Sequence, residues 1–269
     1  MYRTPHRAAL LTAILSTFVP SARGQESPRV MILPGERLTV AGRPAFIFLP
    51  ARRSVPQPWV MYAPTLTPYP DVHEKWMHER FLEAGIAVAG VDVGEAYGSP
   101  KGREGFTALY RELMSSRRGF AARPVLLGRS RGGLGVSSWA AENPEKVAGI
   151  AGIYPVFDLR SYPGLAKAAP AYGVTEAEMR EGLGEFNPIN RVGVLARNRT
   201  PVFLIHGDAD KVVPLEENSA AFAEAYRDAG AGEDVTLIVA EGQGHNVWEG
   251  FFRCQPLVDF VIARAKAAD

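Results

Sequence analysis

The chain has 269 residues, of which 46% are hydrophobic and 22% charged, and 30 Lys plus Arg stand against 29 Asp plus Glu. The apolar fraction excludes a disordered chain, and the balanced charge excludes a protein built chiefly to bind a polyanion such as nucleic acid. The only cysteine, Cys254, excludes an internal disulfide and a paired-thiol metal or redox site.

The N-terminal residues have the three parts of a secretory signal peptide. Two arginines precede a short apolar run at 8–19, and small residues, Ala22 and Gly24, follow it. We expect residues 1–24 to be removed and residues 25–269 to form one domain. The removed segment holds three arginines and no acid, so the net charge falls from +1 to −2. The run is short for a membrane-spanning helix. We therefore expect a secreted or periplasmic protein with no stable membrane insertion, and an uncleaved anchor is the alternative.

Short apolar segments alternate with helical patterns along the rest of the chain. Strands are predicted at 45–49, 58–63, 86–93, 124–128, 148–154, 201–206 and 235–240, with antiparallel edge strands within 29–40. Helices are predicted at 72–84, 104–117, 215–229 and 247–265, with another after residue 132. This alternation predicts an α/β fold, a doubly wound and mostly parallel sheet of about eight strands in a single domain.

The segment 158–199 interrupts the alternation, because it holds helical and turn patterns but no convincing strand. An insertion between two core strands is the usual place for a cap or lid over a site. The alternative is a surface excursion of helix and loop without a gating role.

Residues 128–132 read G-R-S-R-G, the G-x-S-x-G pattern, directly after a predicted strand and before a predicted helix. In that context the serine, Ser130, lies on a sharp strand-to-helix turn, and glycines two positions away on each side leave room for the turn. A serine hydroxyl becomes a nucleophile only when a base takes its proton. Ser130 is therefore predicted to be a nucleophile in need of a histidine.

Five histidines are present, and His245 fits the role of base best. It lies in a glycine-rich loop after the last predicted strand, so it follows the serine and an acid in chain order. The base needs a carboxylate to hold its tautomer. Asp208 and Asp210, just past the preceding strand, are the two candidates.

In this order, Ser130, Asp210 and His245 resemble the catalytic triad of the α/β-hydrolase superfamily, over the chain from about residue 58 to its end. Within it, the chain is similar to secreted prolyl-oligopeptidase-like, acetyl-xylan-esterase-like and dienelactone-hydrolase-like enzymes. The resemblance implies an α/β-hydrolase fold with a small helical insertion as cap. It also favours Asp210, three residues before Val-Pro, as the acid, and leaves Asp208 to bond the turn backbone.

The resemblance implies an oxyanion hole made by backbone N–H groups of Thr65 and of Arg131, the residue after the nucleophile. Pro64 has no N–H, and Leu66 is the fallback for Thr65. The Arg131 side chain also resembles the arginine that follows the serine in glucuronoyl esterases, where it assists the oxyanion. The alternative is that this side chain points to solvent or to a structural carboxylate.

Four further residues are candidates for substrate binding, namely Arg129, Tyr97, Tyr154 and Trp248. Arg129 next to the serine would suit an acidic substrate, unless Asp92 and Glu95 neutralise it. The aromatic residues lie near predicted strand ends or after His245. No motif indicates a metal, a nucleotide or another cofactor.

Together these features predict a secreted serine esterase that works through an acyl-enzyme on a small-molecule or carbohydrate-linked ester. Two alternatives remain. The first is a prolyl-oligopeptidase-like peptidase, which is less favoured because such enzymes carry a large N-terminal propeller. The second is a non-catalytic binding protein on a hydrolase scaffold, a class that commonly loses a triad member.

Overall fold

The computed structural model describes residue 1 and residues 31–115 and 118–268. Within these residues, one sheet has eight strands in the order β1-β2-β4-β3-β5-β6-β7-β8. The strands are β1 (Gly35–Val40), β2 (Arg43–Phe48), β3 (Trp59–Ala63), β4 (Ala87–Val91), β5 (Val125–Arg129), β6 (Gly149–Ile153), β7 (Val202–Gly207) and β8 (Val235–Ala240). The β1–β2 and β2–β4 pairs are antiparallel, and the remaining pairs are parallel. The predicted architecture is confirmed, whereas the predicted signal segment 1–24 lies almost wholly outside the described residues.

Helices cover both faces of the sheet because its central strands are apolar on both sides. The helices are α1 (Lys75–Glu83), α2 (Pro100–Met114), α3 (Gly132–Glu142), α4 (Leu165–Tyr172), α5 (Glu176–Glu181), α6 (Leu183–Phe186), α7 (Val192–Arg197), α8 (Ala221–Asp228), α9 (Glu249–Phe252) and α10 (Gln255–Lys266). Helices α2, α3, α7 and α8 bury one core, and α1, α9 and α10 bury the other. In β3, Met61 faces the first core and Tyr62 the second.

Two of the differences from the predicted helix boundaries are caused by prolines. The second helix begins at Pro100 rather than at 104, because proline is well suited to the first turn, where its missing N–H is not needed. The helix predicted at 247–265 is two helices, α9 and α10, with Arg253 and Cys254 between them. Pro256 causes the break, because a proline ring inside a helix clashes with the carbonyl four residues earlier, here that of Phe252.

The segment 158–199 contains α4 to α7 and no strand, as predicted. Helices α4, α5 and α6 share a hydrophobic cluster with Leu134 of α3, and α7 packs in the first core. The Tyr172 hydroxyl donates to the backbone oxygen of Tyr97, 2.8 Å away, in a loop of the main fold. No residue of this segment lines the described cavity at Ser130. The geometry thus favours a set of helices packed on the surface of the main fold over a cap that covers the site.

Asn218 fixes the entry to this segment. Its Oδ1 accepts hydrogen bonds from the N–H groups of Phe157 (2.8 Å) and Asp158 (3.0 Å). Its Nδ2 donates to the backbone oxygen of Pro214 at 2.9 Å. The residue is fully buried, so water cannot replace these partners.

Replacing Asn218 by alanine is expected to lower the free energy of unfolding by about 2 kcal/mol, because buried backbone groups lose their partners. Urea unfolding of both proteins measures the difference. Asn198→Ala is the matched control, since that exposed amide bonds the Pro144 oxygen at the surface. An equal loss in the control would contradict the assigned role of Asn218.

None of the helices in the described part of the chain is long and apolar enough to cross a membrane.

Candidate active site

Ser130 lies on the sharp turn between β5 and α3, with a positive φ of 51°. Its backbone N–H donates to the oxygen of Ile153 at 3.0 Å, and its own oxygen accepts from Gly133 at 2.9 Å. These bonds hold a conformation that is strained for a residue with a side chain. The turn places Ser130 just beyond the C-terminal end of β5.

Gly132 allows this turn to pack against the loop after β3. A β-carbon at this position would lie 2.2 Å from the carbonyl oxygen of Ala63. Gly128 is similarly restricted, since a β-carbon there would lie 2.9 Å from Val136 and 3.0 Å from Gly133. Both glycines of the motif are therefore required by close approach.

A hydrogen-bonded chain of three side chains runs through the site. The Ser130 Oγ lies 2.9 Å from Nε2 of His245. The Nδ1 of that ring lies 2.7 Å from Oδ2 of Asp210. The ring nitrogens therefore face the hydroxyl on one side and a carboxylate on the other, so Nδ1–H donates to Asp210 and Nε2 is left to accept from Ser130.

Adjacent parallel strands bring the acid and the histidine together. Asp210 follows β7 and His245 follows β8, and the two loops touch where the Ala209 N–H donates to the oxygen of Gln243 at 3.0 Å. Gly207 permits this contact, because a β-carbon there would lie 2.1 Å from that same oxygen. The predicted positions past the strand ends thus meet at one edge of the sheet.

The side chain of Asp210 is fully buried and bonded on both oxygens. Oδ1 accepts from the N–H groups of Val212 (2.9 Å) and Val213 (2.8 Å). Burial alone would raise the pKa of Asp210, but hydrogen bonds from His206, His245 and Val213 outweigh it and hold that pKa well below its usual range. The carboxylate is therefore ionised at neutral pH.

Asp208, the other candidate acid, accepts a hydrogen bond from the N–H of Gly242 at 2.7 Å. This matches the expectation that it bonds the turn backbone. Sequence reasoning gave no role to His206, which is fully buried. Its Nε2 lies 2.8 Å from the oxygen of Val213 and 3.4 Å from Oδ2 of Asp210, so it supports the acid.

The predicted oxyanion residues lie side by side. The Ala63–Pro64 backbone touches Gly132, and Thr65 and Arg131 line one small pocket there. The Thr65 hydroxyl donates to the backbone oxygen of Val91 at the end of β4. Within the described chain, no backbone oxygen accepts from the N–H of Thr65 or of Arg131. Arg131 also lines the described cavity at Ser130, whereas the buried Thr65 lines only the neighbouring small pocket.

The side chain of Arg131 pairs with Glu95, and its guanidinium lies 5.9 Å from the ring centre of Tyr162. The structural-carboxylate alternative for this side chain is therefore the one that the structure shows. Leu66, the fallback donor for the oxyanion, lines an open cleft beside this pair.

Arg129 is buried, with 6% of its surface exposed. The carboxylates that neutralise it are not the ones considered from the sequence. Its Nη1 donates to Oδ2 of Asp71 (3.0 Å) and to Oε2 of Glu74 (2.9 Å). Its Nε donates to the hydroxyl of Tyr154 at 3.1 Å. The alternative that Asp92 and Glu95 neutralise Arg129 is wrong, because both lie on the loop after β4 beside Arg131, and Glu95 pairs with Arg131 instead.

The three aromatic candidates occupy different places. Tyr154 is buried behind the histidine, with ring centroids 4.4 Å apart, and lines the cavity at Ser130. Tyr97 has a positive φ of 47° and lines the pocket of Thr65, not the serine cavity. Burial raises the pKa of Tyr97 to about 12, so its hydroxyl stays neutral. Trp248 is 43% exposed, packs on Phe251, and lies outside that cavity.

The described residues contain no group of three or more His, Cys, Asp or Glu side chains arranged to hold a metal ion.

This fold, with a serine on the strand-to-helix turn after β5, is that of the α/β-hydrolase superfamily. A family model described as the prolyl oligopeptidase family matches residues 104–257, more than half of the chain. The chain belongs to that family. The resemblance seen in the sequence is thereby confirmed.

Solved structures of similar fold include peptidases and an esterase. The puromycin-hydrolyzing peptidase of Mycobacterium tuberculosis is 20% identical with a TM-score of 0.64, and the match covers 87% of this chain and 39% of that one. A putative dipeptidyl aminopeptidase IV from Bacteroides ovatus is 16% identical with a TM-score of 0.68, covering 86% and 35%. Est1E from Butyrivibrio proteoclasticus is 18% identical with a TM-score of 0.64, covering 86% and 98%. The chain thus spans well under half the length of the two peptidases. No curated protein matches it.

Proposed function

We propose that this protein is a serine esterase that cleaves carboxylic esters through an acyl-enzyme. Ser130 attacks the ester carbonyl while His245 accepts its proton, and Asp210 holds the imidazole in the right tautomer. Backbone N–H groups of Thr65 and Arg131 stabilise the tetrahedral anion. The histidine then gives its proton to the leaving alcohol. Water attacks the acyl-enzyme by the same steps and releases the acid.

The observation that carries the proposal is the continuous chain of hydrogen bonds from Ser130 through His245 to Asp210, at 2.9 and 2.7 Å. Ester cleavage also makes the smaller demand on such a site, because an alcohol leaves more readily than an amine. A cavity of about 230 Å³ opens beside the serine and is lined by Ser130, His245, Arg129 and Tyr154 among others. It offers room for one substrate group next to the reacting atoms.

Fluorophosphonate labelling tests the nucleophile. The purified wild-type protein is expected to take up the probe at a single serine, because the probe reacts only with an activated hydroxyl. Ser130→Ala is expected to take up none, while Ser137→Ala, which removes a buried serine of α3, is expected to label as wild type does. Equal labelling of wild type and Ser130→Ala would refute the assignment.

A peptidase is the second candidate, and the match to the prolyl oligopeptidase family favours it. The two activities separate by substrate. An esterase is expected to turn over p-nitrophenyl acetate and to leave aminoacyl p-nitroanilides intact, whereas a peptidase cleaves both. A kcat/KM for the anilides equal to that for the acetate would favour the peptidase. Labelling at Ser130 without turnover of any activated ester would instead favour a binding protein on a hydrolase scaffold.

We further propose that residues 1–24 are a signal peptide and that residues 25–269 form the secreted or periplasmic enzyme. The support is the sequence pattern of a basic start, an apolar run and small residues at the cleavage point. N-terminal sequencing of the exported protein tests this. A mature chain that begins at Gln25 is expected, and recovery of the intact chain with the membrane fraction would favour the uncleaved anchor.

A further inference from the structure

The guanidinium of Arg129 is held on every side but one. Tyr69 and Phe252 lie against it, with their ring centres 4.8 and 4.7 Å from its central carbon. Nη1 and Nε donate to Asp71, Glu74 and Tyr154 as described above. An arginine fixed in this way is pre-organised, so it loses little conformational entropy when it binds one more group.

The remaining edge of this arginine carries two unused donors. Within the described residues, Nη2 donates to no acceptor. A fully buried nitrogen without a partner would be costly, but Arg129 keeps a small exposed surface, and it lines the cavity that also contains Ser130. The free edge therefore faces the same space as the nucleophile.

One side of this cavity is where the leaving alcohol must go. His245, Asn246 and Val247 line it, and His245 is the group that returns its proton to the leaving oxygen. The leaving oxygen must then lie within hydrogen-bond reach of Nε2. The cavity also reaches Pro64 and Arg131 on the side of the proposed oxyanion hole, so the alcohol half of an ester would occupy its histidine side.

The charges around the cavity do not favour an anion. Arg129 is matched by two carboxylates, Asp71 and Glu74, and Arg131 by Glu95. Burial raises the pKa of Glu74, although Arg129 opposes the rise. Whether Glu74 is ionised or not, the cluster of Arg129, Asp71 and Glu74 has no net positive charge. A carboxylate entering here would lose its hydration without meeting an excess of positive charge.

We propose that Arg129 Nη2 binds a neutral acceptor oxygen on the leaving alcohol, so that the enzyme prefers esters of uncharged hydroxylated alcohols such as neutral sugars and discriminates against uronates. The inference rests on the proposed esterase function and specifies its substrate class. It replaces the expectation that Arg129 suits an acidic substrate.

Three acetates that differ only in the alcohol test the proposal. They are a monoacetate of methyl β-D-xylopyranoside, with neutral hydroxyls, the corresponding monoacetate of methyl β-D-glucopyranosiduronate, with a carboxylate, and cyclohexyl acetate, with neither. Acetate release gives kcat/KM for each. The wild type is expected to prefer the xyloside over the cyclohexyl ester by about 10-fold or more, the value of one hydrogen bond from a charged donor. It is expected to prefer the xyloside over the uronate as well.

Arg129→Lys removes the free edge but keeps the positive charge that Glu74 needs. A lysine ammonium has three donors, which Asp71, Glu74 and Tyr154 can take up, so none is left for the substrate. The preference for the xyloside over the cyclohexyl ester is expected to fall about 10-fold. Arg253→Lys, a matched change at a 56% exposed side chain paired with Glu249, is expected to leave that ratio as in wild type.

Asp71→Asn tests the charge argument independently, because it leaves Arg129 in place with one carboxylate fewer. The cluster becomes more positive, and the uronate is expected to gain about 10-fold relative to the xyloside. Fluorophosphonate labelling of each variant shows that the site is folded and active. Unchanged ratios in Arg129→Lys and Asp71→Asn, with labelling retained, would overturn the inference alone, whereas a wild type that neither labels nor hydrolyses any acetate would overturn the esterase function.

Discussion

Replacing Asp210 by asparagine is expected to lower kcat for p-nitrophenyl acetate by about 10⁴-fold, the loss typical when the acid of a Ser-His-Asp triad becomes an amide. The amide can turn its NH₂ toward Nδ1 of His245, which then carries no hydrogen, and the proton moves to the nitrogen that must accept from Ser130. The backbone bonds from Val212 and Val213 to Oδ1 can persist, so the loop should keep its shape. Steady-state kinetics of purified proteins gives kcat and KM separately.

Asp208→Asn is the matched control for this prediction. The same chemical change is made two residues away, where the side-chain oxygen accepts from the N–H of Gly242 and an amide oxygen can do so equally well. Activity close to that of wild type is expected. A loss in Asp208→Asn as large as that in Asp210→Asn would mean that the loop as a whole, and not one carboxylate, supports the histidine.

Acidification is expected to destabilise the wild-type protein in a way that His78→Phe removes. His78 lies on α1 inside an aromatic cluster of Phe48, Tyr62 and Phe81, and within the described chain neither of its ring nitrogens has a hydrogen-bond partner. Burial lowers the pKa of His78 to about 3. The pKa of a histidine in an unfolded chain is about 6.5. At a pH between these two pKa values, the unfolded state binds a proton that the folded state does not.

The sign of this effect follows from proton uptake. The unfolded state gains free energy as the pH falls below about 6.5, so stability is full above that pH and decreases toward pH 3. For a pKa near 3, the loss between pH 7 and pH 4 is about 3 kcal/mol. Urea unfolding at both pH values is expected to show a smaller loss in His78→Phe than in wild type by that amount. His73→Phe, at an exposed histidine of the preceding turn, should keep the wild-type dependence. Identical dependence in all three proteins would show that His78 takes up a proton in the folded state too.

The sequence was sufficient to predict the parts of the site that local pattern controls. The motif around Ser130 identified the turn, and the order of Asp210 and His245 after successive strands placed them at one sheet edge. Parallel strands make such positions converge whatever their separation along the chain. The break between α9 and α10 could also have been predicted, since Pro256 stands where a continuous helix would need a backbone N–H.

The partners of Arg129 could not be predicted in the same way, because they come from the loop and turn before α1, far away in sequence. Asp71 and Glu74 are 58 and 55 residues from it and belong to no motif. One signal was present: an arginine that ends an apolar strand in the middle of a parallel sheet has to be paired, because an unpaired buried charge is too costly. That rule predicts that carboxylates exist but does not say which. Asp92 and Glu95, which the sequence offered as alternatives, are for this reason not the partners of Arg129.

The packing of the 158–199 segment on the main fold bears on how an acyl-enzyme would be hydrolysed. Asn218 and Tyr172 tie that segment to the main fold, and it contributes no wall to the described cavity at the nucleophile. If the proposed acyl-enzyme forms, water is then expected to reach it without waiting for any element to move. Hydrolysis should then outcompete transfer of the acyl group to a second alcohol, and added acceptor alcohols should divert little of the product.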